Sequence, residues 1–102
     1  MATPIAVTPG VKKVLPANTV TLVDAGALNR RFIHIWNFAS EIVWMVPSSQ
    51  GAPSSIIPNE AVPIMPNGDW FMEAGPTIQH FCMSTLDQTV DGMGLLIYEY
   101  TV

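Results

Sequence analysis

Apolar residues recur at alternate positions along this chain, in short runs separated by turns that contain proline or glycine. No segment keeps the apolar spacing of an amphipathic helix over ten residues. Short alternating runs bounded by closely spaced turn signals are typical of a β-sandwich or barrel. We therefore predict an all-β protein, an antiparallel β-sandwich or jelly-roll-like barrel of about eight short strands. The predicted strands span residues 11–15, 19–24, 31–37, 41–46, 61–65, 69–73, 77–84 and 94–102.

The first ten residues contain Pro4 and Pro9 and end at Gly10. Proline favours extended geometry, and this segment has no apolar periodicity of its own. We predict an extended N-terminal arm over residues 1–10 and a single β-sandwich domain over residues 11–102. The arm either frays or lies on a neighbouring molecule.

The predicted strand 31–37 is apolar on both faces, because aromatic side chains alternate with isoleucines along it. The strand 41–46 repeats this pattern, and the short connection between the two predicts a hairpin. An antiparallel pair with one wetted face should alternate apolar with polar residues. This pair therefore lies either at the centre of two packed layers or against another subunit.

Three further residues indicate turns and edges. Asn37 follows the apolar strand, and we expect its side chain to bind backbone groups of the next turn. Asn67, followed by glycine, is a hairpin signal. Pro63 places its strand at the edge of a sheet, because proline has no N–H to donate.

The composition changes this picture by adding an expected interface. The chain has 102 residues, of which 49% are hydrophobic and 12% are charged. The usual charged fraction is about 25%. A single small domain has little interior in which to bury so many apolar groups, and exposed apolar surface usually marks an interface. We interpret the chain as a subunit of a permanent assembly; the alternative is an unusually hydrophobic monomer.

The net charge is −4, and all four basic residues lie in the first third of the chain. Nucleic-acid-binding proteins present a basic face, so this balance predicts no nucleic-acid partner. Lys12, Lys13, Arg30 and Arg31 form either a solvated edge or a rim that contacts an acidic partner protein. We favour partner contact for the two arginines, because charges are scarce in this chain.

Several aromatic residues offer surfaces on which a sugar could stack, although aromatics at alternate strand positions are more often core residues. Trp70 follows the Asn-Gly turn and is the best candidate for an exposed, partner-contacting aromatic residue. The aromatic residues considered are Trp36, Trp44, Trp70, Tyr98 and Tyr100.

His80 and Cys82 lie two residues apart on one predicted strand and face the same way. Zinc would require two further ligands, and His34 is the one other histidine. A nucleophilic cysteine needs a base in line with it, and no phosphate-binding or dinucleotide-binding glycine pattern occurs. We expect both residues to be packed in the interior, and we predict no enzyme activity, no metal and no cofactor.

The single cysteine excludes an internal disulfide. The first residues lack the basic and apolar regions of a signal peptide. The uncharged run 42–59 carries three prolines and four serines, so it does not predict a membrane span. We expect the protein to work where it is made or in an assembly formed there, without a membrane partner.

The stretch LNRRFIHIWNFASEIVWMVP, residues 28–47, resembles small β-sandwich proteins of tailed-bacteriophage virions. In those proteins a strand of the form R-x-x-[LI]-x-[LI]-x-N is followed by a turn with serine and a second strand. The segments IPNEAVPIMPNGDW and LLIYEY are similar to later parts of the same family. The matching positions are Arg30 or Arg31, Ile33, Ile35, Asn37 and Ser40.

This resemblance covers roughly residues 20–102 and involves mostly turn and core positions. It implies a virion structural protein, most of all a capsid decoration (cement) subunit that contacts the major capsid protein and is assembled in the host cytoplasm. A head–tail connector or tail protein is the alternative within the virion, and a carbohydrate-binding or receptor-binding module is the alternative outside this class. The resemblance also implies a homo-oligomer, with a trimer favoured. The chain departs from the family in its proline-bearing arm and in lacking a glycine-rich second loop.

Overall fold

The computed structural model describes residues 6–90 and 92–101. Within this range the chain forms nine β-strands and a short 3-10 helix, and the strands build two antiparallel sheets packed as a β-sandwich. This confirms the predicted fold class. The elements are β1 (Ala6–Val7), β2 (Val11–Lys13), β3 (Thr21–Leu22), β4 (Arg30–Asn37), β5 (Val43–Ser48), the 3-10 helix (Pro58–Glu60), β6 (Val62–Ile64), β7 (Asp69–Glu73), β8 (Gln79–Met83) and β9 (Leu95–Thr101).

The first sheet has the strand order β1–β9–β4–β7, and β2 also pairs with β9. The second sheet has the order β3–β8–β5–β6. Strands that follow one another in the chain mostly belong to different sheets, so most connections cross between the layers. The strand β6, which contains Pro63, lies at an edge of its sheet as predicted.

Two predicted hairpins are wrong. β4 pairs with β7 and β9, whereas β5 pairs with β6 and β8, so these strands occupy central positions in different sheets. The Asn-Gly turn likewise joins β6 and β7, which belong to different sheets. Asn67 does adopt the positive φ of 62° that such a turn requires. The turn chemistry was therefore interpreted correctly, but both turns carry the chain from one layer to the other.

Asn37 is the reason that the chain crosses between layers after β4. Its side chain is 0% exposed, and its Nδ2 donates to the backbone carbonyls of Glu41 and Ile64, each at 2.8 Å. Its Oδ1 accepts the backbone N–H of Ala39 at 2.9 Å. These bonds confirm the turn-binding role predicted for Asn37, and they also fasten β6 of the second sheet to the end of β4.

The interior of the sandwich is filled by alternate side chains of the central strands. Ile33 and Ile35 of β4 meet Val43 and Met45 of β5, and all four are 0% exposed. Because side chains alternate along a strand, the residues between them must point away from this interior. In the second sheet the chain itself covers that outward side: Ile56, in the loop before the 3-10 helix, packs on β8 and β5.

The predicted N-terminal arm is described only from its sixth residue. Ala6 and Val7 pair with β9 of their own sheet, and the N–H of Thr8 donates to the carbonyl of Glu99 at 2.9 Å. This part of residues 1–10 therefore belongs to the domain, and residues 1–5 lie outside the described residues.

The bonds of Asn37 lead to a prediction about stability. Asn37→Ala leaves one buried backbone N–H and two buried carbonyls without partners, and each orphaned group costs about 1–3 kcal/mol. We expect the free energy of unfolding, measured with urea, to fall by about 2–4 kcal/mol. The exposed Asn59 provides the matched control, and Asn59→Ala should change stability by less than about 0.5 kcal/mol. Equal stabilities of the two variants would contradict the role of Asn37.

Candidate functional site

Arg30 opens β4 and is 4% exposed, so its charge lies inside the protein. Its guanidinium makes five hydrogen bonds, one for each of its N–H donors. Two acceptors are the carboxylates of Asp24 and Glu99, and the distance from Nη1 to Oε2 of Glu99 is 2.7 Å. The other three are backbone carbonyls of the turn between β7 and β8, including Ala74 O, which is 2.9 Å from Nε. A buried guanidinium needs this complete set of partners to offset its loss of hydration.

Asp24 extends this arrangement to the second sheet. It accepts hydrogen bonds from the backbone N–H of His80 at 2.5 Å and from the ring Nδ1 at 3.1 Å. Burial by itself raises the pKa of Asp24, but the bonds from His80 and Arg30 outweigh it and hold the pKa below its usual value. Asp24, Arg30, His80 and Glu99 are called the buried ionic cluster below.

The buried ionic cluster closes one end of the sandwich. Asp24 stands where the chain leaves the second sheet, and Glu99 lies on β9 of the first sheet, where it also accepts the N–H of Ala27 at 3.1 Å. Both acidic partners of Arg30 therefore belong to its own domain. Its position does not support the contact with another protein that the sequence predicted for it.

The outer surface of the first sheet carries large aromatic side chains on three adjacent strands. Across β4 and β9, Phe32 pairs with Tyr100 and His34 with Tyr98; across β4 and β7, His34 pairs with Phe71. These side chains point away from the isoleucines in the core. We call this surface the aromatic face. Its members are Phe32, His34, Trp36 and Phe38, then Phe71, and finally Leu96, Tyr98 and Tyr100.

The rings of the aromatic face contact one another. The centroid of His34 lies 4.6 Å from that of Trp36 and 5.3 Å from that of Phe71, which it meets edge to face. Phe71 also stacks with Phe32 at 5.5 Å and meets Tyr100 edge to face at 5.7 Å. Ring pairs at these separations are mutually stabilising. The rings support each other, so they have little conformational freedom to lose when a partner covers them.

Charged side chains lie mostly at the edges of the aromatic face. On the β7 edge, Oδ2 of Asp69 is 2.6 Å from Nε2 of His34. At the start of β4, the guanidinium of Arg31 lies 5.4 Å from the ring centroid of Phe32, and its Nε lies 3.5 Å from Oε2 of Glu73. The centre of the surface is therefore aromatic, with a polar rim, which is the usual arrangement of a protein interface.

Two side chains of the aromatic face are exposed to solvent, and its other members are partly buried. Phe71 is 51% exposed and Phe38 is 41% exposed. In the second sheet, by contrast, the partly buried Trp44 packs with Phe81 and with Ile56 of the covering loop. An exposed apolar patch of this kind usually marks an interaction site.

Three residues were predicted to contact a partner besides Arg30 and Trp70: Lys12 and Lys13 lie on the edge strand β2, and Arg31 lies at the start of the central strand β4. Lys12 pairs with Leu96, so it stands on the same side as the aromatic face, and its Nζ donates to the carbonyl of Gly92. The structure thus brings Lys12 and Arg31 to the rim of one surface. Their contact with a partner stays a prediction.

Trp70 faces the opposite way from the position predicted for it. It lies between the outward-facing Asp69 and Phe71 on β7, pairs with Ile35, and packs half-buried against the core. Its orientation does not support an exposed contact role. Trp36, which pairs with Asp69, is the tryptophan on the outer surface. Sequence alternation had placed Phe32, His34 and Trp36 together, but nothing local indicated which side would be the outer one.

His80 and Cys82 are fully buried, as predicted for packed interior residues. Burial raises the pKa of the Cys82 thiol, and the nearby charge of Asp24 raises it further, so the thiol stays protonated at neutral pH. Over residues 6–90 and 92–101, no group of three or more His, Cys, Asp and Glu side chains is arranged to hold a metal ion.

Two small cavities open at the surface. One of about 230 Å³ lies beside the aromatic face, between Phe38, Leu96 and Lys12, and one of about 150 Å³ lies next to Asp24 and Arg30. Sites for small molecules usually measure about 300–1,000 Å³, so neither cavity fits a typical cofactor. None of the helical structure in the described ranges is long and apolar enough to cross a membrane.

The pKa of Asp24 leads to a prediction about acid stability. Because the folded-state pKa lies below the unfolded value, Asp24 stabilises the fold above the unfolded pKa and loses that contribution as pH falls through the folded pKa. We expect urea-unfolding free energies to decline as pH falls below about 4. Asp24→Asn should be less stable than the wild type at pH 7 and should show a shallower decline in acid. The exposed Glu60→Gln is the control, and an acid decline that is the same in Asp24→Asn and the wild type would contradict this role.

Comparison of the chain with protein-family models, with curated proteins and with solved structures finds no match. The function must therefore be inferred from the arrangement of this chain's own residues, above all from the aromatic face.

Proposed function

We propose that this protein is a non-enzymatic structural subunit of a virion, in the first place a capsid decoration (cement) subunit, and that the aromatic face is the surface through which it joins the assembly. The observation that carries the proposal is the difference between the two sheets. Ile56 of the chain's own loop packs over Phe81 and beside Trp44 on the outer side of the second sheet, whereas Phe71 on the aromatic face is 51% exposed. A subunit whose aromatic face is covered only in an assembly explains this difference.

The composition supports an assembly role over catalysis. Only 12% of the residues are charged, and Asp24, Arg30 and Glu99 are committed to holding the interior of the fold. The thiol of Cys82 is buried and protonated. These side chains have structural tasks, so they are not available for acid–base or nucleophilic chemistry.

The energetics of the aromatic face favour a role in a repeated assembly. The whole outer side of the first sheet, with the edge formed by β1 and β2 included, is four strands wide at about 4.8 Å spacing and about 20 Å long, which gives roughly 400 Å² of flat surface. At about 25 cal/mol per Å², burying it contributes roughly 10 kcal/mol before association costs of about 4–15 kcal/mol are subtracted. A single joint of this size is weak. Symmetry repeats such a joint many times in a shell, and the combined contacts are then strong.

The resemblance to small bacteriophage β-sandwich proteins supports the virion setting, with the major capsid protein as the favoured partner. Arg30 and Asn37, two of the matching positions, are both buried and hold connections between the sheets. They account for the architecture of such a protein and say little about its place in the particle. A head–tail connector or tail location is therefore kept as the alternative within the proposal.

A carbohydrate-binding or receptor-binding module is the second candidate. The observation that favours it is the polar pair of His34 and Asp69 among the rings of the aromatic face, since a sugar needs both a stacking ring and hydrogen-bonding groups. The two groups bind each other at 2.6 Å, however, and neither of them lines either of the two cavities described above. We therefore place this candidate second.

The test uses shells assembled from the major capsid protein encoded in the same genome. Phe71→Ala should bind these shells about 10–30-fold more weakly than the wild type in a sedimentation binding assay, because central aromatic residues dominate interface energies. Ile57 is the matched control: it is 50% exposed, against 51% for Phe71, and it lies in the loop over the second sheet. Ile57→Ala should bind like the wild type.

Three outcomes separate the candidates. Wild-type binding by Phe71→Ala would refute the role of the aromatic face. Absence of binding by the wild type to shells, with binding to connectors or tails of the same particle, would select the alternative location. Saccharide binding that is lost in Asp69→Asn, with no binding to any virion part, would select the carbohydrate-binding module.

A further inference from the structure

We propose that the aromatic face pairs with the same face of a second copy of this chain, about a two-fold axis that runs parallel to the strands. The inference rests on the proposed use of the aromatic face as a joint, but it does not depend on the virion setting. It names the partner of the aromatic face in the free protein, where no shell protein competes for that face, and it fixes which residues of the two copies meet.

The argument begins with one cross-strand row of the first sheet. Lys12 on β2 pairs with Leu96, Leu96 pairs with Trp36, and Trp36 pairs with Asp69 on β7. Paired residues of antiparallel strands point to the same side, so all four side chains project on the aromatic face. The row therefore carries a cation at one edge, an anion at the other, and apolar groups between them.

A two-fold axis parallel to the strands matches these charges. Such an axis turns the second copy over and exchanges its left and right edges, while each row keeps its position along the strands. Lys12 then lies opposite the partner subunit's Asp69, and Asp69 lies opposite the partner subunit's Lys12. Sheets that pack face to face lie about 10 Å apart, a gap that a lysine and an aspartate side chain can bridge together.

A two-fold axis perpendicular to the strands does not bring these opposite charges together. It would place each β7 edge against the partner's β7 edge and would reverse the order of the rows. Asp69 would then face the partner subunit's Glu73, and like charges placed together at an interface are strongly unfavourable.

The apolar part of the surface is also self-complementary about the favoured axis. The axis passes between β9 and β4, so β9 of each copy lies over β4 of the other. Leu96 meets the partner subunit's Trp36, and Tyr98 meets the partner subunit's His34. The hydroxyl-bearing ring of Tyr98 thus faces the most polar ring of the aromatic face, and aliphatic surface faces the indole.

The size of the surface sets the expected strength of the pair. Two faces of roughly 400 Å² each bury less than the about 1,600 Å² of a standard interface. We therefore expect a weak pair with a dissociation constant in the micromolar range. The pair should form as the concentration rises, which also makes it measurable by sedimentation equilibrium.

The test is an exchange of charges. Sedimentation equilibrium of the wild type from about 1 to 500 μM should show the 11.1-kDa chain passing to twice that mass. Lys12→Glu alone and Asp69→Lys alone should each raise the dissociation constant at least about tenfold, because each places two like-charge pairs in the joint. An equimolar mixture of the two variants should pair nearly as tightly as the wild type, since every charge in the mixed pair meets its opposite. The double variant Lys12→Glu/Asp69→Lys should also recover pairing.

Matched controls separate pairing from folding. Lys13→Glu reverses the neighbouring charge, but Lys13 pairs with the inward-facing Leu95, so it should leave the dissociation constant unchanged. Circular dichroism melts of all variants check that each remains folded, and a variant that fails to fold is replaced by Lys12→Gln or Asp69→Asn, which should weaken pairing less than the charge reversals.

A wild type that stays at the single-chain mass would overturn the pairing, as would a mixture of variants that does not recover it. A mass of three chains would also overturn it, and would support the trimer implied by the resemblance. These failures differ from failure of the proposed function: a monomer whose Phe71→Ala variant still loses shell binding keeps the function and rejects the pair. A stable pair that binds no virion part rejects the function and keeps the pair.

Discussion

β4 carries large apolar side chains on both of its sides, and a two-layer sandwich has only one interior. Ile33 and Ile35 occupy that interior, so the aromatic side chains between them must lie on the outer surface of the first sheet. β5 meets the same constraint in the second sheet, where Ile56 of the same chain covers the outward side. Among the described residues no loop packs over Phe71 as Ile56 packs over Phe81, and this difference is the physical basis for proposing an assembly role for the aromatic face.

Both ends of β4 are held by buried polar residues that cannot leave their positions without orphaning several partners. Arg30 satisfies all five of its donors at one end, and Asn37 at the other binds backbone groups of the following turn and of β6 in the second sheet. The spacing of these two residues, with isoleucines between them, is the pattern on which the proposed resemblance to small bacteriophage β-sandwich proteins rests. In this chain the two residues hold β4 between two connections that cross from one sheet to the other. The side chains of β4 that face outward are not needed for this and can contact a partner. The resemblance and the aromatic face are thus independent lines of support, one for architecture and one for use.

Local patterns in the sequence were sufficient to predict the strands of residues 11–102, the alternation of side chains along β4 and the position of Pro63 on an edge strand. They were not sufficient to predict which strands pair with each other, because pairing depends on contacts between residues far apart in the sequence. Asn37 binds Ile64, and Arg30 binds Glu99. A short turn looks the same from its sequence whether it closes a hairpin or crosses to the other sheet. The orientation of Trp70 was missed for a related reason, since a shift of one residue in a strand exchanges its inner and outer faces.

Oxidative footprinting with hydroxyl radicals, read by mass spectrometry, tests most directly whether the aromatic face is covered when the protein is assembled. Phe71 on the aromatic face and Met65 beyond β6 are matched reporters, because they are 51% and 54% exposed in the free chain. Labelling is compared between dilute protein and protein in its assembled form. The account predicts that labelling of Phe71 falls severalfold on assembly while that of Met65 stays constant. Unchanged labelling of Phe71, with or without protection of Met65, would contradict it.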